Sequence, residues 1–402
     1  MMLDFDEAQK RLSQAGTPLT ATDTCSLADA LGRVLAQDIK ATINLPQADN
    51  SAMDGYAIRF ADYGPNKALP VQQRHFAGED AATLEPGKAI RLFTGSLMPE
   101  GADTVVMQEH ATETDGQLII TEAPRQHSHV RKLGEDISKG STVVAAGRLL
   151  TAADIGILAS QGVAEIPVLA RLRVGVLTTG DELVPPGQNL SEAQVYNSNA
   201  PMLTALLKQL GANVTHTLHA RDTSESLNQA FDQLFANCDL VLTVGGVSVG
   251  EKDLVKPTLE SRGGTLDLWK VSMKPGKPVA LAHVQNKPVV CLPGNPVSAF
   301  AVFVLLVSPL VRYLQGRQNV FPAIRYAQLD HFDGFNKTRD EFIRVKAHEN
   351  TTGQTVLEPH PLQASGIISS LPWSDGLARI PANTRIVENT IVPYYSWADW
   401  LY

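Results

Sequence analysis

Cysteine is scarce: Cys25, Cys238 and Cys291 are the three among 402 residues. Their number is odd, they lie far apart, and none sits in a CxxC or CxxH arrangement, which excludes a disulfide scaffold and a zinc knuckle. Cys238 and Cys291 adjoin apolar runs and read as core packing. Positive charge is in deficit too. Lys and Arg number 34 against 42 Asp and Glu, a formal net charge of −8. That disfavours nucleic acid and anionic membrane as partners while leaving room for a local basic pocket. The longest apolar run, Val297–Val311, falls short of the ~18–20 residues a bilayer-spanning helix needs. The opening MMLDFDEAQKRLSQAG reads as a charged amphipathic helix, not a signal peptide. No internal repeat or low-complexity tract is present. These absences point to a cytoplasmic protein in a reducing compartment.

What is there is apolar enough, at 44% hydrophobic residues, to bury sizeable cores, and the length suits two to four domains of roughly 100–200 residues each. Residues 1–40 show Ala/Leu periodicity with a stop near Gly32 and are expected to be helical. From Thr42 to about Lys139, short apolar strands such as Tyr56–Arg59, Ala89–Phe93, Thr104–Gln108 and Gln117–Thr121 are punctuated by Gly, Pro and Asp. Helical character returns at 151–162, so the β-rich block reads as an insertion. From Arg171, Val/Leu strands alternate with helices, as in a doubly wound parallel sheet covered on both faces. After Gln318, short β-like runs predict a small barrel-like domain. The expected fold is therefore multidomain α/β plus β. A discontinuous helical/mixed domain (1–41 and 140–171) carries a β-rich insertion (42–139), and a central α/β domain (172–320) precedes an all-β domain (321–402).

Three loops of the α/β region follow strands: TTGDEL (Thr178–Leu183), GGVSVGEKD (Gly245–Asp253) and LPGNPVS (Leu292–Ser298). Ligands of such sheets bind outside the carboxyl ends of the strands, so these loops should converge. Gly245, Gly246, Gly250, Gly294 and Asn295 permit backbone N–H groups to approach a phosphate, and a helix starting near Val297 presents its N-terminus there. KVSMKPGKP supplies Lys270, Lys274 and Lys277. Asp181, Glu182, Glu251 and Asp253 would repel a phosphate unless a cation intervenes, and hard oxygen donors suit Mg2+. The inserted block adds DNSAMDGYA (Asp49–Ala57), FTGSLMPEGADTVVMQE (Phe93–Glu109) and VRKLGEDIS (Val130–Ser138). Residue chemistry alone reaches a phosphate-handling α/β enzyme with accessory domains.

These motifs, with KPGKP, occur in an order that resembles the molybdopterin molybdenumtransferases, the family of bacterial MoeA and of the E domain of gephyrin. The resemblance covers nearly the whole chain. It implies four domains, the third molybdopterin-binding, and a homodimer whose active site is shared between subunits. It also implies insertion of molybdenum from molybdate into adenylyl-molybdopterin, giving molybdenum cofactor and AMP with Mg2+, and raises the adenylyltransferase of the same pathway as a partner. By matching positions it implies catalytic roles for Asp54, Thr94, Arg131 and Asp136 in the second domain, and for Glu182, Asp253, Lys270, Lys274 and Lys277 in the third. Glu182 and Asp253 would hold the metal. Substrate contacts would come from Gly245, Gly246, Ser248, Gly294, Asn295 and Ser298, with Arg344 (in EFIRV) and Ser365 (in LQASG) on the oxyanion. The chain departs from the family pattern at PQA before DNSAMDGYA, at Ala200, and at LPWSDGLARIP. A single-domain adenylyltransferase has no use for the flanking domains, and a scaffold has no use for this set of charged residues.

Overall fold

Val- and Leu-rich runs form four central strands, largely buried on both faces, flanked by two more exposed edge strands. The strands are β1 (Arg173–Thr179), β2 (Asn213–Ala220), β3 (Leu240–Val244), β4 (Thr265–Trp269), β5 (Ala280–Val284) and β6 (Lys287–Leu292). In the computed structural model they form one sheet in the order β2-β1-β3-β6-β5-β4. Strands β2, β1, β3 and β6 are parallel, β5 runs against both its neighbours, and β4 therefore points the same way as β6. Strand β5 was not among the sequence expectations, because its VALAHV run directly follows the KPGKP turn. The structure describes residues 2–246, 253–330, 334–336, 338–387 and 389–401.

The chain divides into two compact units. One comprises Met1–Ala36, Ala146–Thr151 and Ile166–Tyr402, the other Gln37–Ala145 and Ala152–Glu165. In the first unit the parallel sheet is covered by helices Asn199–Gln209, Ser224–Asn237 and Val255–Ser261 and by Pro296–Leu314. The last is 19 residues long, apolar and 89% buried, so it is the core helix of this unit. A π-helical turn at Phe303–Val307 interrupts it. Cys238 and Cys291 are buried and all three cysteines are free; burial pushes the Cys291 thiol up to about 11.

Among the first forty described residues the α-helix is confined to Phe5–Ser13. The broader helical expectation fails because Gly16, at φ +91°, turns the chain and Thr22–Ser26 then extends as a strand. No helix ends at Gly32. The Asp4 carboxylate caps that helix, accepting from the Glu7 N–H at 2.9 Å. Phe5, Ala8 and Leu12 are buried at helical spacing, with the Phe5 ring 4.6 Å from that of Phe342.

Phe342 lies on a ten-residue strand, Asp340–Glu349, of the C-terminal barrel. Its strands run Asp340–Glu349, Thr355–Pro359, Arg325–Leu329, Ile391–Ser396 and Gly376–Ile380, and the last pairs back onto the first to close it. A two-residue strand, Met273–Lys274, joins Asp340–Glu341 in parallel.

The second unit is built on a six-stranded sheet in the order Thr104–Met107, Gly55–Ile58, Ala89–Leu92, Leu69–His75, Gln117–Ile120, Ala111–Thr114. Gly55 is required at its centre, since a Cβ there would stand 2.0 Å from the Val106 carbonyl oxygen. Helix Ala152–Ser160 belongs to this unit, and the Gln161 side chain accepts from the Thr42 N–H at 3.0 Å.

Candidate active site

Four strands of the first unit end at one edge, and the residues just beyond them enclose a cavity of about 200 Å³. Gly180 and Glu182 follow β1, Asp222 follows β2, Gly245 and Gly246 follow β3, and Gly294 follows β6; Asp253 completes the wall. The glycines are sterically demanded. At φ +92° and +65°, Gly245 and Gly246 pass so close to Thr179 that a Cβ on either would meet its Oγ1 at 3.1 Å, and one on Gly246 would strike Val255 at 2.7 Å. A Cβ on Gly180 would lie 2.6 Å from Glu182 Oε2, so the glycine makes room for that carboxylate. Asn199 donates from Nδ2 to the Gly294 carbonyl at 2.7 Å, tying the helix after β1 to the loop after β6. Its Oδ1 is buried without a partner.

Sequence reasoning missed Asp222. Its loop, HARDTS, carries no glycine and reads as a helix start, and Thr223 does cap the next helix. The available signal was position: it lies two residues past the end of β2, at the edge where ligands of such sheets bind. Asp181 and Asp222 exchange long backbone bonds, Asp181 N to Asp222 Oδ2 at 3.4 Å and Asp222 N to Asp181 Oδ1 at 3.3 Å. Ser248, Gly250 and Glu251 of the GGVSVGEKD loop lie outside the described residues.

Lys270, Lys274 and Lys277 follow β4 at this same edge, because Trp269 registers with Ala280, and Ala280 with Cys291. They do not line the cavity. Lys270 takes a left-handed backbone, φ +71°, and its carbonyl accepts from Leu3 N at 3.2 Å. Lys274 Nζ pairs with Glu341 of the barrel at 2.8 Å. Lys277 is exposed.

Barrel and sheet edge also meet where Asn295 Nδ2 donates to Ser365 Oγ at 3.1 Å. Ser298 is buried in the helix behind that loop. Arg344 is 1% exposed. Its Nε donates to Ser370 Oγ at 3.0 Å, Nη1 to the Gln363 carbonyl at 3.0 Å, and Nη2 to the carbonyls of Leu362 and Ala364 at 2.9 and 3.2 Å. Burial pushes it down to about 10. In this structure its guanidinium therefore orders the loop that carries Ser365. The unusual LPWSDG stretch places Trp373 edge-on against His360, at 4.9 Å.

In the second unit three motifs are stitched together. Asp54 Oδ1 accepts from both the N–H and the Oγ of Thr94 at 2.8 Å; these two bonds hold its carboxyl below the usual carboxylate range. Asp49 accepts from Lys132 Nζ at 2.7 Å and Leu133 N at 2.9 Å. Arg131 registers with Asn50 in an antiparallel pair. Arg131 and Asp136 share a cavity of about 550 Å³ with Asn50 and Glu135; Asp54 and Thr94 are not on its wall.

A doubly wound sheet with an acidic, glycine-lined cradle, a small closed barrel and a β-rich unit define an α/β protein of several domains. Residues 3–162 match the family described as "MoeA N-terminal region (domain I and II)", 175–313 the "Probable molybdopterin binding domain", and 334–397 the "MoeA C-terminal region (domain IV)". A molybdopterin molybdenumtransferase from Haemophilus influenzae is 39% identical over 93% of this chain and 93% of its own length. One from Nostoc is 37% identical over 92% of this chain and 87% of its own. A crystal structure of the molybdopterin biosynthesis moeA protein of Pyrococcus horikoshii superposes with a TM-score of 0.84 at 27% identity, covering 98% of this chain and 100% of that one. The chain belongs to the molybdopterin molybdenumtransferase family.

Proposed function

We propose that this protein transfers molybdenum from molybdate to adenylyl-molybdopterin, releasing AMP and completing the molybdenum cofactor. The observation that carries this reading is the cradle at the carboxyl edge of the parallel strands. Backbone turns at Gly245, Gly246 and Gly294 face the carboxylates of Glu182, Asp222 and Asp253 across one cavity. Its size suits a phosphate with its ion, the scissile end of such a substrate, better than a whole pterin nucleotide.

Magnesium fits this donor set. The donors are oxygens only, as a hard divalent cation prefers. Glu182 and Asp253 would hold it, and when bound it supplies charge neutralisation at the pyrophosphate. Lys270, Lys274 and Lys277 offer mobile positive charge to the same oxygens; Lys274 would first exchange Glu341 for the substrate. Gly245, Gly246, Gly294, Asn295 and Ser298 would contact the pterin nucleotide, a role the resemblance also implies for Ser248. Ser365 receives molybdate on a loop whose shape Arg344 fixes.

Asp54, kept ionised by Thr94, together with Arg131 and Asp136, completes the site from a second copy of the chain in a cytoplasmic homodimer. The adenylyltransferase that makes the substrate is the expected partner. The four-domain division at 1–41 with 140–171, 42–139, 172–320 and 321–402 belongs to the same proposal. The test is AMP release from adenylyl-molybdopterin by the purified protein. Release that needs both molybdate and Mg2+ supports transfer; AMP retained under every combination rejects it.

A further inference from the structure

At the opposite edge of the parallel sheet, three separate stretches of the first unit enclose a second cavity, of about 340 Å³. Its walls are residues 147–151, the end of the core helix with the chain to Pro322, and Asp399. Its place is fixed by Arg317, whose Nη2 donates to the carbonyl of Leu210, just before β2 begins at Asn213. The volume falls within the range of small-molecule sites, about 300–1,000 Å³.

The charge here is unbalanced. Arg312 and Arg317 line the cavity with Asp399, and Arg325 already forks that carboxylate at 2.6 and 2.9 Å. Arg312 is 4% exposed; it donates to Ser308 Oγ at 2.8 Å and to the Trp400 carbonyl. Arg317 Nε is buried without a partner. Burial, and then the neighbouring Arg317, push Arg312 down to about 10; burial alone does the same to Arg317. Capping of carbonyls explains one or two donors of each arginine. It does not explain two mutually repelling guanidiniums at one cavity, since a carbonyl oxygen does not neutralise a cation.

Two further features suit a ligand. Phe321 lines the cavity and is 47% exposed, a large ring left without cover beside the arginines. The walls are also fixed in advance: Gln318 donates from N to the Gly147 carbonyl at 2.9 Å and from Nε2 to the Ala146 carbonyl at 2.7 Å. Gly147 permits that approach, because a Cβ there would lie 2.9 Å from Gln318 Cγ.

We propose that this cavity binds a mononucleotide-like anion, its phosphate held by Arg312 and Arg317 and its base laid against Phe321. Arginine forks match phosphate, and an exposed aromatic ring is a general platform for a base. The site is distinct from the Glu182 cradle and does not depend on the transfer reaction.

Amide hydrogen exchange on the full chain tests it, with AMP as the probe. AMP is expected to slow exchange in peptides covering 146–151 and 316–322. Inorganic phosphate should do so only at about tenfold higher concentration, because it lacks roughly one stacking contact, and adenosine, which lacks the group the arginines hold, should be the weakest of the three. Phe321→Ala removes an exposed ring, so folding is not at stake. It should raise the AMP concentration for half-protection about tenfold and leave phosphate unchanged. Arg317→Gln should weaken both probes. Peptides covering 178–183 report the cradle separately and should be indifferent to either variant. Protection confined to the cradle, or protection at 146–151 that neither variant alters, overturns the proposal; equal potency of AMP and phosphate overturns its nucleotide part.

Discussion

The two units hold their acidic residues in opposite ways. In the second unit Asp54 sits under two short bonds from Thr94, and Asp49 accepts from Lys132 and Leu133. Both carboxyls are held below the usual carboxylate range, Asp54 by Thr94 and Asp49 by Lys132 and then Leu133. At the sheet edge of the first unit, Glu182, Asp222 and Asp253 share one small cavity, and among the described residues the Glu182 carboxylate has no hydrogen-bond partner. Like charges gathered this way repel unless a cation and its anion enter between them. Donors of the fold engage the carboxylates of the second unit, whereas the proposed function leaves Glu182 to a ligand.

The largest effect should come from removing a charge from the cradle. Asp253→Asn is expected to lower AMP release roughly 100-fold while changing pterin-nucleotide affinity little, as read by single-turnover kinetics beside equilibrium binding. Equal loss of both would place Asp253 outside metal binding. Next comes the backbone of the cradle. Gly246→Ala forces a Cβ into a left-handed turn and against Val255, and should cost about 1–3 kcal/mol in denaturant unfolding. An unchanged midpoint would mean the turn relaxes freely.

In the second unit the effects are smaller, and the first of them depends on pH. Thr94→Val deletes one of the two bonds that depress Asp54 and spares the backbone N–H. Removing a depressing interaction raises the carboxyl pKa, so the acid limb of the rate–pH profile should move to higher pH, with little change at the plateau. An unmoved limb would remove Asp54 from the titrating step. The smallest effect is predicted for Lys132→Met: the pair with Asp49 is largely exposed, and its loss should cost less than about 1 kcal/mol. A larger loss would show that the pair, and not the backbone ladder, holds the motif together.

Much of this comparison was readable in the sequence. The strand-ending glycine loops announced the cradle because backbone approach requires those residues, and Val/Leu runs announced the buried strands. Legibility failed where tertiary partners decide. Residues 14–40 carry a helix-like apolar period, yet Gly16 turns the chain and Thr22–Ser26 extends. Strand β5 hides behind a Pro-Gly turn. The family resemblance implied a ligand contact for Arg344, but a linear sequence cannot tell that four groups of its own fold engage its guanidinium. The Arg312 cavity was invisible because its walls come from three distant stretches.

The core helix connects the two edges of the sheet. At 19 residues it spans about 28 Å, with the LPGNP loop at its head and Arg312 near its foot. Between them Ser308 Oγ bonds the Val304 carbonyl at 2.7 Å and receives Arg312 Nη1 at 2.8 Å, latching the arginine to the π-helical turn. Being packed along its length, such a rod cannot shift at one end alone. Any free energy it carries between the two cavities obeys thermodynamic linkage: a ligand at the foot that changes affinity at the head by some factor has its own affinity changed by that same factor.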